Sequence, residues 1–154
     1  MKRVFLLLAS LVAILLMATT SATAASSYTD PAGDGKGGPD VTAVAVTNDA
    51  QGVVTMRITV ATVVGTALVV SFDTDLNGLF NDPTSRDILL VTPATGVVIP
   101  MAYAWDSATS KWVPSSVPSL RATATPTDLT LSFAKAELGI DKGFGFWMWG
   151  MTET

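Results

Sequence analysis

Apolar and polar residues alternate with a period of two over much of this chain. In "VVTMRITVA" (residues 53–61), Val54, Met56, Ile58 and Val60 point one way, and Thr55, Arg57 and Thr59 point the other. Alternation of this kind, carried by β-branched residues, predicts a strand with one buried face. "VTAVAVT" (41–47) reads as the strand before it and "NDAQG" (48–52) as the turn between them, so the two predict a hairpin. "TALVVSF" (66–72) is apolar almost throughout, which predicts a central strand covered on both sides. Further strands are predicted at "RDILLVT", "GVVIPMAYAW", "KWVP", "SLRATAT", "LTLSF" and "FGFWMWGM". "AKAELG" (134–139) allows one helical turn at most.

No long amphipathic segment interrupts this series, and strands do not alternate with helices. The pattern predicts an all-β fold, an antiparallel β-sandwich of jelly-roll or immunoglobulin-like type with about eight or nine strands.

The first residues do not belong to that pattern. Met1, Lys2 and Arg3 form a short basic region, Val4 to Met17 are apolar, and "ATTSATAA" supplies small residues with an Ala22-x-Ala24 cleavage pattern. This predicts a signal peptide over residues 1–24 and a secreted single domain over residues 25–154. The alternative is an uncleaved anchor, but the apolar run is short for a membrane span. "SSYTDPAGDGKGGPD" (26–40), rich in Gly and Pro, reads as irregular.

Charge and missing residue types narrow the chemistry. The formal net charge is −4 and becomes more negative once Lys2 and Arg3 are lost, which disfavours nucleic acid and anionic membrane surfaces as partners. There is no Cys, so a secreted domain must be stabilised without disulfides. There is no His, which argues against zinc and copper and leaves oxygen ligands, the preference of calcium. Without His or Cys no common nucleophile–base pair is available, and Glu137 and Glu153 are the only glutamates. The expectation is a non-catalytic protein; a hydrolase would need a cleft holding two carboxylates.

Oxygen donors are concentrated in one place. "VVSFDTDLNGLFND" (69–82) starts as a buried strand and ends with Asp73, Asp75, Asn77, Asn81 and Asp82. "DTDLNG" fits the D-x-[DN]-x-[DN]-G opening of a calcium loop. In that reading Asp73, Asp75 and Asn77 give side-chain oxygens, Gly78 permits the sharp turn, and Leu79 gives its carbonyl. Asn81 or Asp82 closes the shell. The loop is not an EF-hand, because Thr84 stands where a bidentate Glu is required and Pro83 precedes it. A further ligand would have to come from Asp87, Asp34 or Asp40. The competing reading is a turn in which Asp and Asn cap their own backbone. Asp30, Asp34 and Asp40, set among glycines, form a second candidate metal segment, or else an exposed leader.

"DPAGDGKGGPDVTAVAVTND", "VTMRITVA", "LVVSFDTDLNG" and "LTLSFAKAELG" occur in an order that resembles secreted bacterial domains of the DOMON and family-nine carbohydrate-binding-module group. The resemblance spans most of residues 25–154 on short motifs. It implies a β-sandwich, often with structural calcium, and in some members a sugar- or haem-binding face. Haem-binding members usually depend on Met and His ligands, and this chain has no His.

Four tryptophans bear on the ligand. Trp105 and Trp112 flank the "DSATSK" turn and predict a cross-hairpin pair, with Tyr103 on the face of Trp105. Trp147 and Trp149 alternate with Phe146 and Met148, so one face of the last strand carries both indoles. Exposed rings would stack on a sugar, with Arg57, Arg121 or Asp106 as polar neighbours; buried rings would be core or cross-strand packing. The sequence thus predicts a secreted, calcium-stabilised binding module for carbohydrate. The alternative is a structural or interaction domain meeting a cell-surface protein.

Overall fold

The structure, a computed structural model, describes residues 24–33, 39–61, 66–93 and 96–151. The signal-peptide expectation, together with Asp34 and Glu153, falls outside these residues.

Among the described residues, ten strands form two antiparallel five-stranded sheets. They are β1 (Ala24–Thr29), β2 (Val41–Asn48), β3 (Val53–Val60), β4 (Thr66–Asp73), β5 (Arg86–Thr92), β6 (Ile99–Asp106), β7 (Lys111–Pro114), β8 (Arg121–Ala124), β9 (Asp128–Ala134) and β10 (Gly145–Met151). One sheet runs β1-β2-β3-β9-β8 and the other β10-β4-β5-β6-β7. The β-sandwich expected from the alternating pattern is therefore the fold.

The alternation places the core. On β3, Val54, Met56, Ile58 and Val60 are buried, while Arg57 lies outside and pairs with Asp128 of β9 at 3.0 Å. Leu129, Leu131 and Phe133 of β9 join them from the same sheet. From the other sheet come Leu68, Val70 and Phe72 of β4 and Ile88 and Leu90 of β5. Phe72 meets Phe133 edge-to-face at a centroid distance of 5.3 Å, an aromatic bridge between the sheets. β4 is the central strand expected, since Ala67 to Asp73 are all buried. Its inner face meets the other sheet, and its outer face is flanked by β10, whose tryptophans project from that side.

One expectation needs correction. The sequence predicts irregular chain over residues 26–40, yet residues 26–29 form most of β1, paired antiparallel to β2 from Ala24↔Asn48 to Thr29↔Ala43. Residues 25–29 are exposed, so no face of β1 carries an apolar signature. Edge pairing needs backbone donors and acceptors, not a hydrophobic pattern, and for that reason the strand is invisible to periodicity. The single helical turn expected near residue 135 is a 3-10 turn at Lys135–Leu138, closed by Gly139 in the left-handed conformation (φ 76°).

Candidate functional site

The pleat and register of the second sheet decide which side chains share its outer face. One cross-strand row runs Trp147 (β10), Ser71 (β4), Asp87 (β5), Tyr103 (β6), Pro114 (β7). The neighbouring row brings Trp149 opposite Val69, which in turn opposes Leu89. At the β6–β7 end, Trp105 and Trp112 oppose each other, with ring centroids 5.5 Å apart in an edge-to-face contact. The cross-hairpin pair expected from the sequence is therefore present.

Trp147 and Trp149 are 63% and 47% exposed, which is unusual for large apolar rings when two stand side by side on one strand. Trp112, Trp147, Trp149 and Phe80 wall a groove of about 350 Å³, and Ser71 and Asp87 form its polar part. Phe80 comes from the loop after β4 and meets Trp147 edge-to-face at 6.2 Å.

Asp87 is the unusual member. It is only 7% exposed, and its Oδ1 has no hydrogen-bond partner among the described residues. Burial pushes its carboxyl above the usual range, opposed by a hydrogen bond from Ser71. A raised carboxyl stabilises the fold while protonated, and that contribution is lost as pH rises through the raised value. Asp87→Asn is therefore expected to melt at a higher temperature than the wild type at pH 7, with the difference vanishing near pH 3. A variant less stable than wild type at neutral pH would contradict this account of the site.

Arg57, Arg121 and Asp106 are not the polar neighbours of the exposed indoles. Arg57 and Arg121 lie on the opposite sheet. Asp106 caps the β6–β7 turn, accepting from Ala108 N–H and from the Thr109 hydroxyl. Ser71 and Asp87 take that place. The signal for them was present as lone polar residues within the apolar runs "LVVSF" and "RDILL", at outward positions once the register is known. Phe80 had no such signal, because only the fold of its loop brings it to Trp147.

The acidic loop joins β4 to β5 and is organised around Asn77. Both oxygens of the buried Asp73 accept backbone N–H groups, from Asn77 at 3.2 Å and Gly78 at 2.7 Å. Gly78 adopts φ 81°, the left-handed region that glycine enters without penalty, and Leu76 is held there too at 61°. The Asn77 side-chain amide donates to both Asp75 and Asp82. Asp82 Oδ1 also accepts from the Thr84 hydroxyl at 2.6 Å, the Ser85 hydroxyl at 2.9 Å and the N–H groups of both residues at 3.0 Å. Hydrogen bonds from Thr84, Asn77 and Ser85 hold the Asp82 carboxyl far below the usual carboxylate range. The Leu79 carbonyl lies 3.3 Å from the Ser85 hydroxyl, whose one proton goes to the nearer Asp82 Oδ1, and Asn81 is exposed.

The structure thus brings Asp73, Asp75, Asn77 and Asp82 into one hydrogen-bonded loop. Among the described residues no three acidic side chains form a group disposed to hold a metal ion. Asp87 belongs to the groove, and Asp30 and Asp40 stand at the β1–β2 edge, where Asp40 accepts from Gly33 N–H at 2.8 Å. A cleft of about 540 Å³ opens there between β1–β2 and β10. Residues 34–38 are not described, so the smaller aromatic groove is the better-defined site. No protein-family model matches the chain, and neither the curated proteins nor the solved structures include a match to it.

Proposed function

We propose that this protein is a non-catalytic carbohydrate-binding module that takes a sugar ring in the groove on the outer face of the β10-β4-β5-β6-β7 sheet. The observation that carries this reading is the pair of exposed indoles, Trp147 and Trp149, next to the buried polar atoms of Ser71 and Asp87. A pyranose offers a flat C–H face for stacking and hydroxyls at its rim for hydrogen bonding, and this groove is complementary to both. A volume of about 350 Å³ lies at the lower end of the range for small-ligand sites and suits a single ring, with the chain extending over the open sheet. The basic and apolar residues at the N-terminus support a secreted location, and the motif order supports kinship with the DOMON and family-nine carbohydrate-binding-module group.

The decisive experiment is a glycan array followed by a titration read by intrinsic tryptophan fluorescence. Bound glycan and a blue shift of the indole emission are expected. A clean negative in both would assign the aromatic face to a protein partner instead.

Calcium is the second component of the proposal. Asp75 and Asp82 face each other across one Asn77 amide, so a divalent cation displacing that amide would find oxygens on either side. The donor set is all oxygen, as calcium requires; the oxygens of Asp73 and Asp75 and Asp82 Oδ2 each accept one hydrogen bond and keep a second lone pair, whereas Asp82 Oδ1 is fully engaged by Thr84 and Ser85. Since no three acidic side chains among the described residues converge as the loop stands, Asp75 and Asp82 would close on the ion with Asn77, Asp73 keeping the turn in place, and the loop would in turn fix Phe80 against Trp147. Adding calcium to chelator-treated protein is expected to raise the melting temperature, by about 1.4 kcal/mol of stability at a free ion level roughly tenfold above Kd. Asp75→Ala is expected to abolish the rise. The same rise in both proteins would remove the loop as the calcium site.

A further inference from the structure

The groove contains one feature that a neutral sugar does not require. Asp87 is a carboxylate placed in the middle of a sheet, covered by aromatic rings and left with an acceptor that nothing in the described structure uses. Leaving such a group unpaired is costly, and the fold has already borne most of its desolvation. A ligand that brings a cation to Oδ1 therefore recovers a charge-assisted hydrogen bond without dehydrating the carboxylate again.

We infer that the groove selects a cationic sugar, a pyranose carrying a free protonated amine, with the ammonium donating to Asp87 Oδ1 while the ring stacks on the indoles. This rests on the carbohydrate reading and names the substrate class within it. The walls of the groove fit the same ligand. Trp112, Trp147, Trp149 and Phe80 present π-faces and edges around the carboxylate, and indole faces attract cations. A quaternary ammonium is a poorer fit, because it has no N–H to give and would leave Oδ1 unpaired. An N-acetylated amine also fits less well, since it carries no charge and adds bulk at the carboxylate. The other groups in the groove add no competing charge: Ser71 is a neutral hydroxyl, and the remaining lining residues are aromatic. The net negative charge of the chain would also draw a cationic polysaccharide towards it.

The test is calorimetric titration of the full-length folded protein with three matched β-linked oligomers: glucosamine, N-acetylglucosamine and glucose. The glucosamine oligomer is expected to bind tighter than the glucose oligomer by about tenfold or more. Asp87→Asn is expected to erase that gap, bringing the glucosamine and glucose oligomers to the same affinity whatever it does to the affinity for glucose itself. Equal wild-type affinity for the three oligomers would overturn the inference and leave a neutral-sugar site in place, without relying on any variant. A gap that survives Asp87→Asn would also overturn it, showing general attraction of a polycation to an acidic protein. If no oligomer binds, the carbohydrate reading itself falls, and this inference with it.

Discussion

Phe72→Ala is expected to destabilise the protein by about 3–5 kcal/mol, the largest loss from any single side chain on the inner face of β4. Phe72 is fully buried and touches both halves of the sandwich, meeting Phe133 at 5.3 Å and Phe144 at 5.5 Å. Its removal takes away transfer free energy and leaves a cavity that the neighbouring strands cannot close, because both are pinned by ladder hydrogen bonds on either side. A domain of this size is stable by about 5–15 kcal/mol, so the variant would be near its threshold. Equilibrium denaturation with urea checks the value, and the slope should match that of the wild type. A loss under about 1.5 kcal/mol would mean that the two sheets do not share the core described here.

The second large effect concerns binding, not folding. Replacing both Trp147 and Trp149 by alanine is expected to weaken oligosaccharide binding by about 100-fold or more, since each removes a central aromatic contact. The same double variant should lose little stability, about 1 kcal/mol, because both rings are about half in water and the groups they cover in the groove, Ser71 and Asp87, regain hydration when the rings are removed. Affinity by calorimetry and melting by circular dichroism separate the two effects. A double variant that binds as before would move the ligand off this face. A variant that unfolds would show that the indoles serve as packing.

The comparison of sequence with structure follows a physical division. Strands that bury one face, such as β3 and β9, announce themselves through alternation, and β4 does so through a continuous apolar run. β1 does not, because it is held by backbone pairing to β2 and by one aromatic contact, Tyr28 with Phe146 at 5.1 Å, and neither leaves an alternating pattern. The acidic loop was legible as a loop, and Gly78 fills the turn role expected of it. Whether its carboxylates point to a shared centre depends on Asn77, whose side chain donates to two of them, and no spacing rule fixes that rotamer. The groove was half legible. The shared face of Trp147 and Trp149 follows from a period of two, but their placement beside Asp87 depends on β4 lying between β10 and β5. That order is a long-range pairing, with β10 some seventy residues beyond β4 in sequence. The sequence offers Asp87 as a further ligand for the acidic loop, whereas the register sets it directly opposite Ser71, in the cross-strand row of Trp147.

β10 lies at the rim of its sheet, and its sequence, GFWMWGM, contains neither charge nor proline. Proteins commonly protect such a rim with lysine, proline or a bulge so that a stranger's backbone cannot zip onto it. Here any such guard would intrude on the very rings proposed to take the sugar. Crowded, ligand-free molecules would therefore be prone to stick to one another along β10, and a soluble oligosaccharide should keep concentrated stocks clear by occupying the adjoining face.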